Sequence, residues 1–332
     1  MHFIITDRNV DALYGKKLQN FFRGNGFLIK KFVVPSGEKT KSLRFYKLLT
    51  EKILLSRFDK YSTIIGFGGG VINNLSGFLA STLYRGIQLI QIPTTLLAQL
   101  DAAIDFKQAI NSDIGKNHLG SFYAASIIII DPLFLTTLSE RHIRSGMAES
   151  LKHAITQDKI FFRYLLSYNG KSKDRGFLEK VITHTIFLKT SLLNNKRNFE
   201  YAEMLPQYGH PIGHAIEYLS NYKLLHGEAL AIGMCVTAEI AHLLEVCNNI
   251  TVEQHYEIIR HFNLPVKLPK TISDRDIIQS IMRDKHFVKN VHSVLVASIG
   301  GIAKTKKSYS FEISTKILKR ALVINRRKRF YL

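Results

Sequence analysis

The sequence predicts an α/β N-terminal part built on a parallel sheet, followed by a mainly α-helical C-terminal part. In residues 1–140, short apolar runs rich in β-branched residues alternate with helical patterns, as they do in βαβ units. After about residue 140 the pattern changes to long amphipathic stretches, which are typical of helices. We therefore expect a Rossmann-like domain over residues 1–140 and a helical domain over residues 141–332.

Each element follows from its own local pattern. Strands are predicted at residues 3–6, 28–34, 62–67, 88–92 and 127–131, and the apolar run at 126–130 is expected to be buried. Helices are predicted at residues 11–22, 42–55 and 71–84, and later at 177–195 and 228–245, before a strand at 294–299. In parallel sheets, ligands bind beyond the carboxyl ends of the strands. Residues 68–70 and 93–95 would lie at that edge.

Composition limits the cellular setting. The chain has 332 residues, of which 46% are apolar, but no apolar run reaches the length that spans a bilayer. The N-terminal residues lack the pattern of a secretory signal. Cys235 and Cys247 are too few for a disulfide framework, which favours a reducing cytoplasm. We expect a cytoplasmic protein that does not enter a membrane.

The chain is strongly basic. It has 46 Lys and Arg against 26 Asp and Glu, a formal charge of +20, which fits nucleic acid or a phosphorylated small substrate as a partner. Aromatic residues do not alternate with the basic ones as a base-stacking surface requires. The one dense basic cluster, residues 326–329, is predicted to be a solvated tail. We therefore do not expect nucleic acid as a partner.

A glycine-rich turn lies between a predicted strand and a predicted helix, at Gly66-Phe-Gly-Gly-Gly-Val71. Glycines at such a place let backbone N–H groups approach a diphosphate, whose charge the helix N-terminus favours. The pattern is not the GxGxxG fingerprint, so a nucleotide site and a plain tight turn remain equal alternatives on this motif alone.

One glutamate and three histidines form the strongest candidate for a metal site. They are Glu149, His210, His214 and His226. Carboxylate and imidazole ligands suit a divalent ion such as Zn²⁺. His210 and His214 are four residues apart and share one helix face. They can be two ligands, or one ligand and one acid/base group. The spacing favours a metal site over buried structural histidines.

Three lysines, Lys107, Lys116 and Lys152, stand beside small residues in weakly charged stretches. Phosphate-binding lysines often occur in such surroundings.

These motifs together resemble the dehydroquinate synthase-like sugar phosphate cyclases. The resemblance runs in order over nearly the whole chain, through Pro35-Ser-Gly-Glu-Lys-Thr-Lys41, Gly68-Gly-Gly-Val71, Tyr84-Arg-Gly86, Ile92-Pro-Thr-Thr-Leu-Leu-Ala98, Gly115-Lys-Asn117, Gly146-Met-Ala-Glu149, Gly209-His-Pro-Ile-Gly-His-Ala-Ile-Glu217, His226-Gly-Glu228 and Arg283-Asp-Lys285. So many motifs in one order make the resemblance specific.

The resemblance implies roles for individual residues. Glu149, His210 and His226 correspond to ligands of Zn²⁺ or Co²⁺. Positions that match NAD-binding residues are Asp7, Glu38, Lys41, Gly69, Gly70, Val71, Asn74, Thr94, Thr95, Lys107, Lys116, Phe134 and Thr137. Positions that match substrate-binding residues are Arg85, Asp101, Lys107, Asn117, Lys152, Lys189, Gln207, His214 and Lys285. Among these, Asp101, Lys107, Lys152 and His214 match catalytic residues. Arg85 matches an arginine that reaches the neighbouring subunit, which implies a homodimer.

The activity that the resemblance implies is a phosphate-eliminating lyase reaction that closes a carbocycle. NAD transiently oxidises a phosphorylated sugar, phosphate leaves by β-elimination, the hydride returns, and an intramolecular aldol step closes the ring. Two other functions remain open: a metal-dependent polyol dehydrogenase, and a degenerate binding protein.

Two substrates fit the resemblance. The arginine and asparagine that bind a substrate carboxylate in dehydroquinate synthases are replaced by Glu203 and Gln207, and Asp105-Phe106 and Asn74 also depart from that group. A glutamate would repel a carboxylate. The run Lys107-Gln-Ala-Ile-Asn111 instead resembles 2-deoxy-scyllo-inosose synthases. The sequence therefore favours D-glucose 6-phosphate as substrate and 2-deoxy-scyllo-inosose as product, with 3-dehydroquinate synthesis as the alternative.

Overall fold

The computed structural model describes residues 1–56, 58–113, 115–193, 199–282 and 291–330. They cluster into two compact units, Met1–Ser139 with Arg175–Ile182, and Glu140–Asp174 with Thr183–Leu332. Lys285 and the rest of its motif lie outside the described residues.

The first unit is an α/β fold on a parallel sheet. Its strands and α-helices follow one another as β1 (His2–Asp7), α1 (Arg8–Val10), α2 (Lys16–Gly24), β2 (Ile29–Val34), α3 (Leu43–Leu54), β3 (Thr63–Gly68), α4 (Gly70–Thr82), β4 (Gln88–Pro93), β5 (Lys107–Ser112), β6 (Gly115–Phe122) and β7 (Ile127–Ile128). The main sheet has the order β2-β1-β3-β4-β7, and every pairing in it is parallel. The predicted α/β fold class is confirmed.

Both faces of this sheet are apolar. Successive residues of a strand point to opposite faces, so Phe3 and Ile5 of β1 join one buried cluster while Ile4 joins the other. Helix α4 covers the first face with Leu75 and Leu79, which are fully buried. A strand buried on both faces needs a continuous apolar run rather than an alternating one, which is why these strands are visible in the sequence.

Two details of this unit differ from the sequence prediction. The run at 126–130 is not a buried strand: only Ile127–Ile128 pairs with β4, and Ile127 is 53% exposed, because β7 is the edge of the sheet. The antiparallel hairpin of β5 and β6 was not predicted. Its second strand is partly or fully exposed along its whole length, so it lacks the apolar pattern that marks a strand.

The second unit is mainly helical. The α-helices of the remaining chain are α5 (Glu140–Gln157), α6 (Lys159–Ser167), α7 (Arg175–Leu193), α8 (Phe199–Met204), α9 (His210–Leu219), α10 (His226–Leu243), α11 (Asn249–His261), α12 (Asp274–Met282) and α13 (Thr315–Arg327). Short antiparallel pairs join β8 (Val291–Ser293) to β11 (Phe311–Ile313), and β9 (Val296–Ser298) to β10 (Gly301–Ile302). Within the described residues, none of the helices combines the length and apolar composition that crossing a bilayer requires.

Helix α10 is the centre of this unit and packs against α5, α9, α11 and α13. Its approach to α9 depends on glycine. A Cβ at Gly233 would lie 2.3 Å from the carbonyl oxygen of Gly209, and one at Gly213 would lie 3.1 Å from Leu230 Cα. The two helices therefore touch backbone to backbone, which holds the histidines at their starts close together.

The basic C-terminal cluster is not a solvated tail. Arg326 donates from Nε to Asp274 Oδ1 at 2.7 Å and from its other nitrogens to the carbonyls of Pro269 and Ile272. Lys328 lies between two carboxylates, 3.2 Å from Glu239 and 2.8 Å from Glu253. The prediction was wrong because these acceptors lie about fifty residues or more away in sequence, where a local charge pattern does not reveal them.

Replacing Arg326 with alanine is expected to lower the free energy of unfolding by about 2 kcal/mol, since charged hydrogen bonds of this kind contribute roughly 1.5–3 kcal/mol. The matched control is Arg327→Ala, which removes the same charge from the exposed neighbouring residue and should change stability by less than about 0.5 kcal/mol. Urea unfolding measures both. Equal losses in the two variants would contradict the docked C-terminus.

Candidate active site

Three of the predicted metal ligands come together in the second unit. Glu149 lies inside α5, whereas His210 and His226 are the first residues of α9 and α10. One ligand atom of each side chain lies within 4.8 Å of the ligand atoms of the other two. Among the described residues, these three form the group of histidine, cysteine and acidic side chains that could hold a metal ion.

The spacing of the ligand atoms fits a divalent metal. Nε2 of His210 and Nε2 of His226 lie 3.5 and 3.3 Å from Glu149 Oε1. Metal bonds of about 2.0–2.1 Å at tetrahedral angles place two ligand atoms roughly 3.3 Å apart. The His226 contact is at the same time a long hydrogen bond. The group therefore suits the binding of one ion by three side chains.

The protonation states also suit a metal. Burial raises the pKa of Glu149, but Lys152, His210 and His226 outweigh it and hold that pKa well below its ordinary value. Burial and the Lys152 charge lower the pKa of His210. Burial lowers the pKa of His226, but the carboxylates of Glu149 and Glu217 raise it to about 9. At neutral pH the carboxylate is ionised and His210 is neutral, and metal binding must displace one proton from His226.

Lys152 is buried beside this group. Its side chain is 2% exposed, its Nζ lies 2.5 Å from Glu149 Oε2, and it donates to the carbonyl of Pro206 at 3.1 Å. The contact with Glu149 is an ion pair, and among the described residues Glu149 Oε2 has no hydrogen-bond partner. A buried ammonium in this place keeps the carboxylate charged and adds positive charge next to the ligands.

Glu217 belongs to the same motif as His210 and His214, but the sequence indicated no role for it. It is buried on α9, and its Oε2 lies 3.2 Å from Nδ1 of His226, opposite the nitrogen that faces Glu149. Metal-binding histidines commonly donate their second N–H to such a carboxylate, which fixes the ring and its tautomer. The signal was its position one helical turn after His214, on the helix that begins with His210.

Changing Glu217 to glutamine is expected to lower the pKa of His226 below about 9, since one of the two charges that raise it is lost. In the wild type, Co²⁺ affinity should increase about tenfold per pH unit until pH about 9, because each ion displaces one proton. In the variant the affinity should level off at a lower pH. Co²⁺ titrations from pH 6 to pH 10 measure this, and identical profiles would contradict the role of Glu217.

A second acidic residue fixes the start of α10. Glu228 accepts two hydrogen bonds from Arg141, both at 2.7 Å, and one from the backbone N–H of Leu225 at 2.8 Å. Gly227 donates its N–H to Ser145 of α5. These contacts connect the segment that carries His226 to the helix that carries Glu149.

The other predicted substrate residues of this unit lie on three elements. His214 is on α9, with its ring centroid 5.2 Å from that of His210 and 5.9 Å from that of His226. Lys189 is buried on α7, and Gln207 is half-buried in the 3₁₀ turn Leu205–Gln207. The structure thus brings His214 to the predicted metal ligands.

In the first unit the glycine-rich turn is half-buried at Gly69 and Gly70, where α4 begins. Gly69 precedes the first residue of α4, and the N–H of Thr94 donates to the carbonyl of Gly68 at 2.9 Å. A Cβ on Gly69 would lie 3.0 Å from Thr95, and one on Gly70 would lie 3.2 Å from Ala102. The turn therefore presents backbone N–H groups at a helix N-terminus, where anions bind. Val71 and Asn74 follow on α4.

A polar network joins four of the predicted positions around a residue that was not predicted. Asn111 donates to Glu38 Oε1 at 2.8 Å and accepts from the N–H of Asn117 at 3.0 Å. Lys116 lies 3.4 Å from the same glutamate oxygen, and Lys41 donates to Asn117 Oδ1 at 2.5 Å. Asn111 is the last residue of the segment Lys107–Asn111, but its partners come from distant segments.

The remaining predicted positions of this unit have varied surroundings. Asp7 caps α1 and accepts from Ser36. Thr137 is hydrogen-bonded to Tyr14, whose ring also contacts Phe134. Asp101 lies on a π-helical turn, and Lys107 is exposed at the start of β5. Arg85 is exposed with a left-handed backbone, as is Tyr84 before it.

Comparison with protein families agrees with this geometry. The family model for the 3-dehydroquinate synthase N-terminal domain matches residues 31–145, and the model for the C-terminal domain matches residues 146–287. The chain belongs to the 3-dehydroquinate synthase family. It is an enzyme of the dehydroquinate synthase-like sugar phosphate cyclases, as the sequence analysis expected.

Curated relatives cover most of the chain. It is 37% identical to the 3-dehydroquinate synthase of Clostridium beijerinckii over 311 residues, which are 93% of this chain and 89% of that one. It is 34% identical to the 3-dehydroquinate synthase of Endomicrobium trichonymphae, over 92% of this chain and 85% of that one.

Solved structures of other cyclases are also similar. ValA, a 2-epi-5-epi-valiolone synthase of Streptomyces hygroscopicus with bound NAD⁺ and Zn²⁺, superposes with a TM-score of 0.89 at 25% identity, covering 98% of this chain and 91% of that one. A 2-deoxy-scyllo-inosose synthase bound to carbaglucose-6-phosphate, NAD⁺ and Co²⁺ gives 0.87 at 26% identity, covering 98% and 90%.

Proposed function

We propose that this chain is an NAD- and divalent-metal-dependent cyclase that converts a seven-carbon keto-acid phosphate to 3-dehydroquinate with release of phosphate. The observation that carries the proposal is the set of Glu149, His210 and His226 with the spacing of metal ligands, in a chain 37% identical to a 3-dehydroquinate synthase over 93% of its length.

The proposed cofactors are NAD and either Zn²⁺ or Co²⁺. Cyclases with similar structures bind NAD⁺ together with one or the other of these ions. The ligand set here, one carboxylate and two imidazoles, suits both ions. In the first unit, the turn at Gly69 and Gly70, at the N-terminus of α4, would receive the diphosphate of NAD.

Two residues of this chain are proposed to assist the reaction, one through its charge and one by proton transfer. When bound, NAD supplies a hydride acceptor and the metal supplies positive charge that stabilises a substrate oxygen. Lys152 adds a buried positive charge beside that position, which favours the departure of the phosphate group. His214, whose ring neighbours those of two ligands, is proposed to move a proton to or from the substrate.

The choice between the two substrates rests on overall identity, because several residues that separated the two groups have other partners. Gln108 is 1% exposed and donates to the carbonyls of Asp105 and Tyr123, inside its own hairpin. Asn74 donates to the carbonyl of Gly70 in its own helix. Because these side chains bond within their own hairpin or helix, they are weak evidence for D-glucose 6-phosphate as the substrate.

One specific observation supports a second candidate function. Glu203 stands where dehydroquinate synthases usually carry an arginine for the substrate carboxylate, and D-glucose 6-phosphate has no carboxylate to bind. Conversion of that sugar to 2-deoxy-scyllo-inosose is therefore the alternative product.

Arg85 supports a further part of the proposal, a homodimer. Tyr84, Arg85 and Gly86 all have positive φ angles, of 46°, 65° and 127°, which is a costly conformation for the first two residues. Such a turn keeps the Arg85 side chain exposed, as an arginine that reaches a neighbouring subunit must be.

The experiment that decides between the substrates offers each one separately with NAD⁺ and either metal ion, and measures phosphate release. We expect release from the keto-acid phosphate, together with 3-dehydroquinate. Release from D-glucose 6-phosphate alone would overturn the substrate choice but leave the cyclase assignment intact. A substrate-free incubation is the control for contaminating phosphate.

A further inference from the structure

A fully buried tyrosine and histidine form a pair behind the metal ligand His210. The hydroxyl of Tyr208 lies 2.8 Å from Nε2 of His255, which belongs to α11, and both side chains are 0% exposed. Nδ1 of His255 lies 2.6 Å from the carbonyl oxygen of Thr251, one turn earlier on the same helix. The pair is closed off from solvent and has no role in the mechanism above.

The directions of these hydrogen bonds follow from the chemistry of the groups. A carbonyl oxygen only accepts, so Nδ1 of His255 carries the proton and Nε2 has the lone pair. The Tyr208 hydroxyl therefore donates to His255. Burial lowers the pKa of His255 to about 4, so this ring is neutral at physiological pH and the arrangement is maintained.

Tyr208 also contacts His210, through its backbone carbonyl. Nδ1 of His210 lies 3.3 Å from the carbonyl oxygen of Tyr208, so this nitrogen also carries the proton. Nε2, which lies 3.5 Å from Glu149 Oε1, is then the nitrogen whose lone pair would face a bound metal ion. The tautomer that a metal ligand requires is thus set by the carbonyl of Tyr208.

The position of that carbonyl depends on the buried tyrosine. Gly209, between the two residues, has a left-handed backbone with φ of +76°, and a Cβ there would lie 2.7 Å from Met234. The chain turns sharply at Gly209, directly after the side chain that is anchored on α11. The anchored residue therefore sets where the carbonyl of Tyr208 points.

We propose that Tyr208 and His255 are positioning residues that hold His210 in the orientation and tautomer needed to bind the metal ion. The inference rests on the proposed metal site and adds two residues to it that lie outside the ligand set. It concerns affinity for the ion rather than the choice of substrate.

The test compares Tyr208→Phe and His255→Leu with matched variants. Tyr256 is the control, because it neighbours His255 on α11, is 1% exposed and accepts a buried hydrogen bond from Asn325 at 3.0 Å. Tyr256→Phe therefore alters a comparable buried hydroxyl that has no described bond to His210. His255→Gln is the rescue variant, since a glutamine Oε1 can take the place of Nε2 as acceptor.

Co²⁺ titration of the full chain measures the effect. We expect the Kd for Co²⁺ to rise about tenfold in Tyr208→Phe and His255→Leu, the lower end of the range for changes behind a metal ligand. Tyr256→Phe should keep the wild-type Kd, and His255→Gln should recover most of the loss. An unchanged Kd in Tyr208→Phe, or an equal rise in Tyr256→Phe, would overturn the proposal.

A second readout separates this inference from the proposed function. The imidazole nitrogen chemical shifts of His210 report its tautomer without any metal. We expect a single Nδ1–H form in the wild type and a mixture in Tyr208→Phe. If the wild type bound no Co²⁺, the proposed metal site would fail, whereas the tautomer shift would still decide the role of Tyr208. An unshifted His210 signal in Tyr208→Phe would overturn that role.

Discussion

Glutamine in place of Glu149 is expected to reduce turnover at least about a thousandfold and to remove most of the metal affinity. The change takes away the anionic ligand of the three, and it leaves Lys152 buried at 2% exposure without its counter-charge. A metal ion contributes several kcal/mol to stabilising a substrate oxygen, and about 1.4 kcal/mol corresponds to a factor of ten in rate. Phosphate release and Co²⁺ titration measure the two losses.

The control for this variant is Glu239→Gln on α10. Glu239 is also a buried glutamate, 3% exposed, and it is paired with a lysine, Lys328, at 3.2 Å. This change should lower stability, because it leaves an ammonium without its buried partner. It should leave the Kd for Co²⁺ within about twofold of the wild type. A Glu149→Gln variant that binds the metal as well as Glu239→Gln does would show that Glu149 is not a ligand.

Replacing Lys152 with methionine is expected to separate metal binding from catalysis. Methionine has a similar volume and no charge, so the positive charge beside the ligands is lost while the fold is kept. Turnover should fall roughly a hundredfold or more, because charge stabilisation of this kind contributes a few kcal/mol. Metal affinity should be kept or become higher, since the ammonium 2.5 Å from Glu149 no longer competes with the ion for the carboxylate.

The metal-free Lys152→Met variant should also unfold more easily than the wild type, because an unpaired buried carboxylate costs several kcal/mol. Added Co²⁺ should restore much of that stability. Lys328→Met is the control, since it removes the partner of another buried glutamate. It should keep wild-type turnover. If Lys152→Met turned over substrate at the wild-type rate, the role of this lysine in phosphate departure would be wrong.

The sheet and the clustering of Glu149, His210 and His226 are the parts that the sequence predicted well, for related reasons. The central strands β1 and β3 are buried on both faces, so they need continuous apolar runs, and these are visible without any knowledge of tertiary structure. The proposed ligands Glu149, His210 and His226 are next to or near glycines in the sequence, and such glycines permit close contacts between helices. Such motifs are short and local, and the spacing of His210 and His214 already placed them on one helix face.

The residues behind the proposed ligands could not be given roles from the sequence, because those roles depend on contacts between different helices. Glu217 contacts a histidine of the next helix, nine residues away, and His255 lies 47 residues from its tyrosine partner. Arg326 is a similar case, because a basic cluster is predicted to be solvated when its carbonyl acceptors are unknown. Each of these residues is polar and buried or half-buried, a combination that a local pattern does not reveal.

The cyclase assignment itself predicts a specific stoichiometry. A single reaction with the keto-acid phosphate, NAD⁺ and Co²⁺ should be followed for phosphate by a colorimetric assay and for NADH by its absorbance. The hydride is returned within each cycle, so we predict many molecules of phosphate per enzyme and no net NADH. Steady accumulation of NADH without phosphate release would contradict the account and indicate a metal-dependent polyol dehydrogenase.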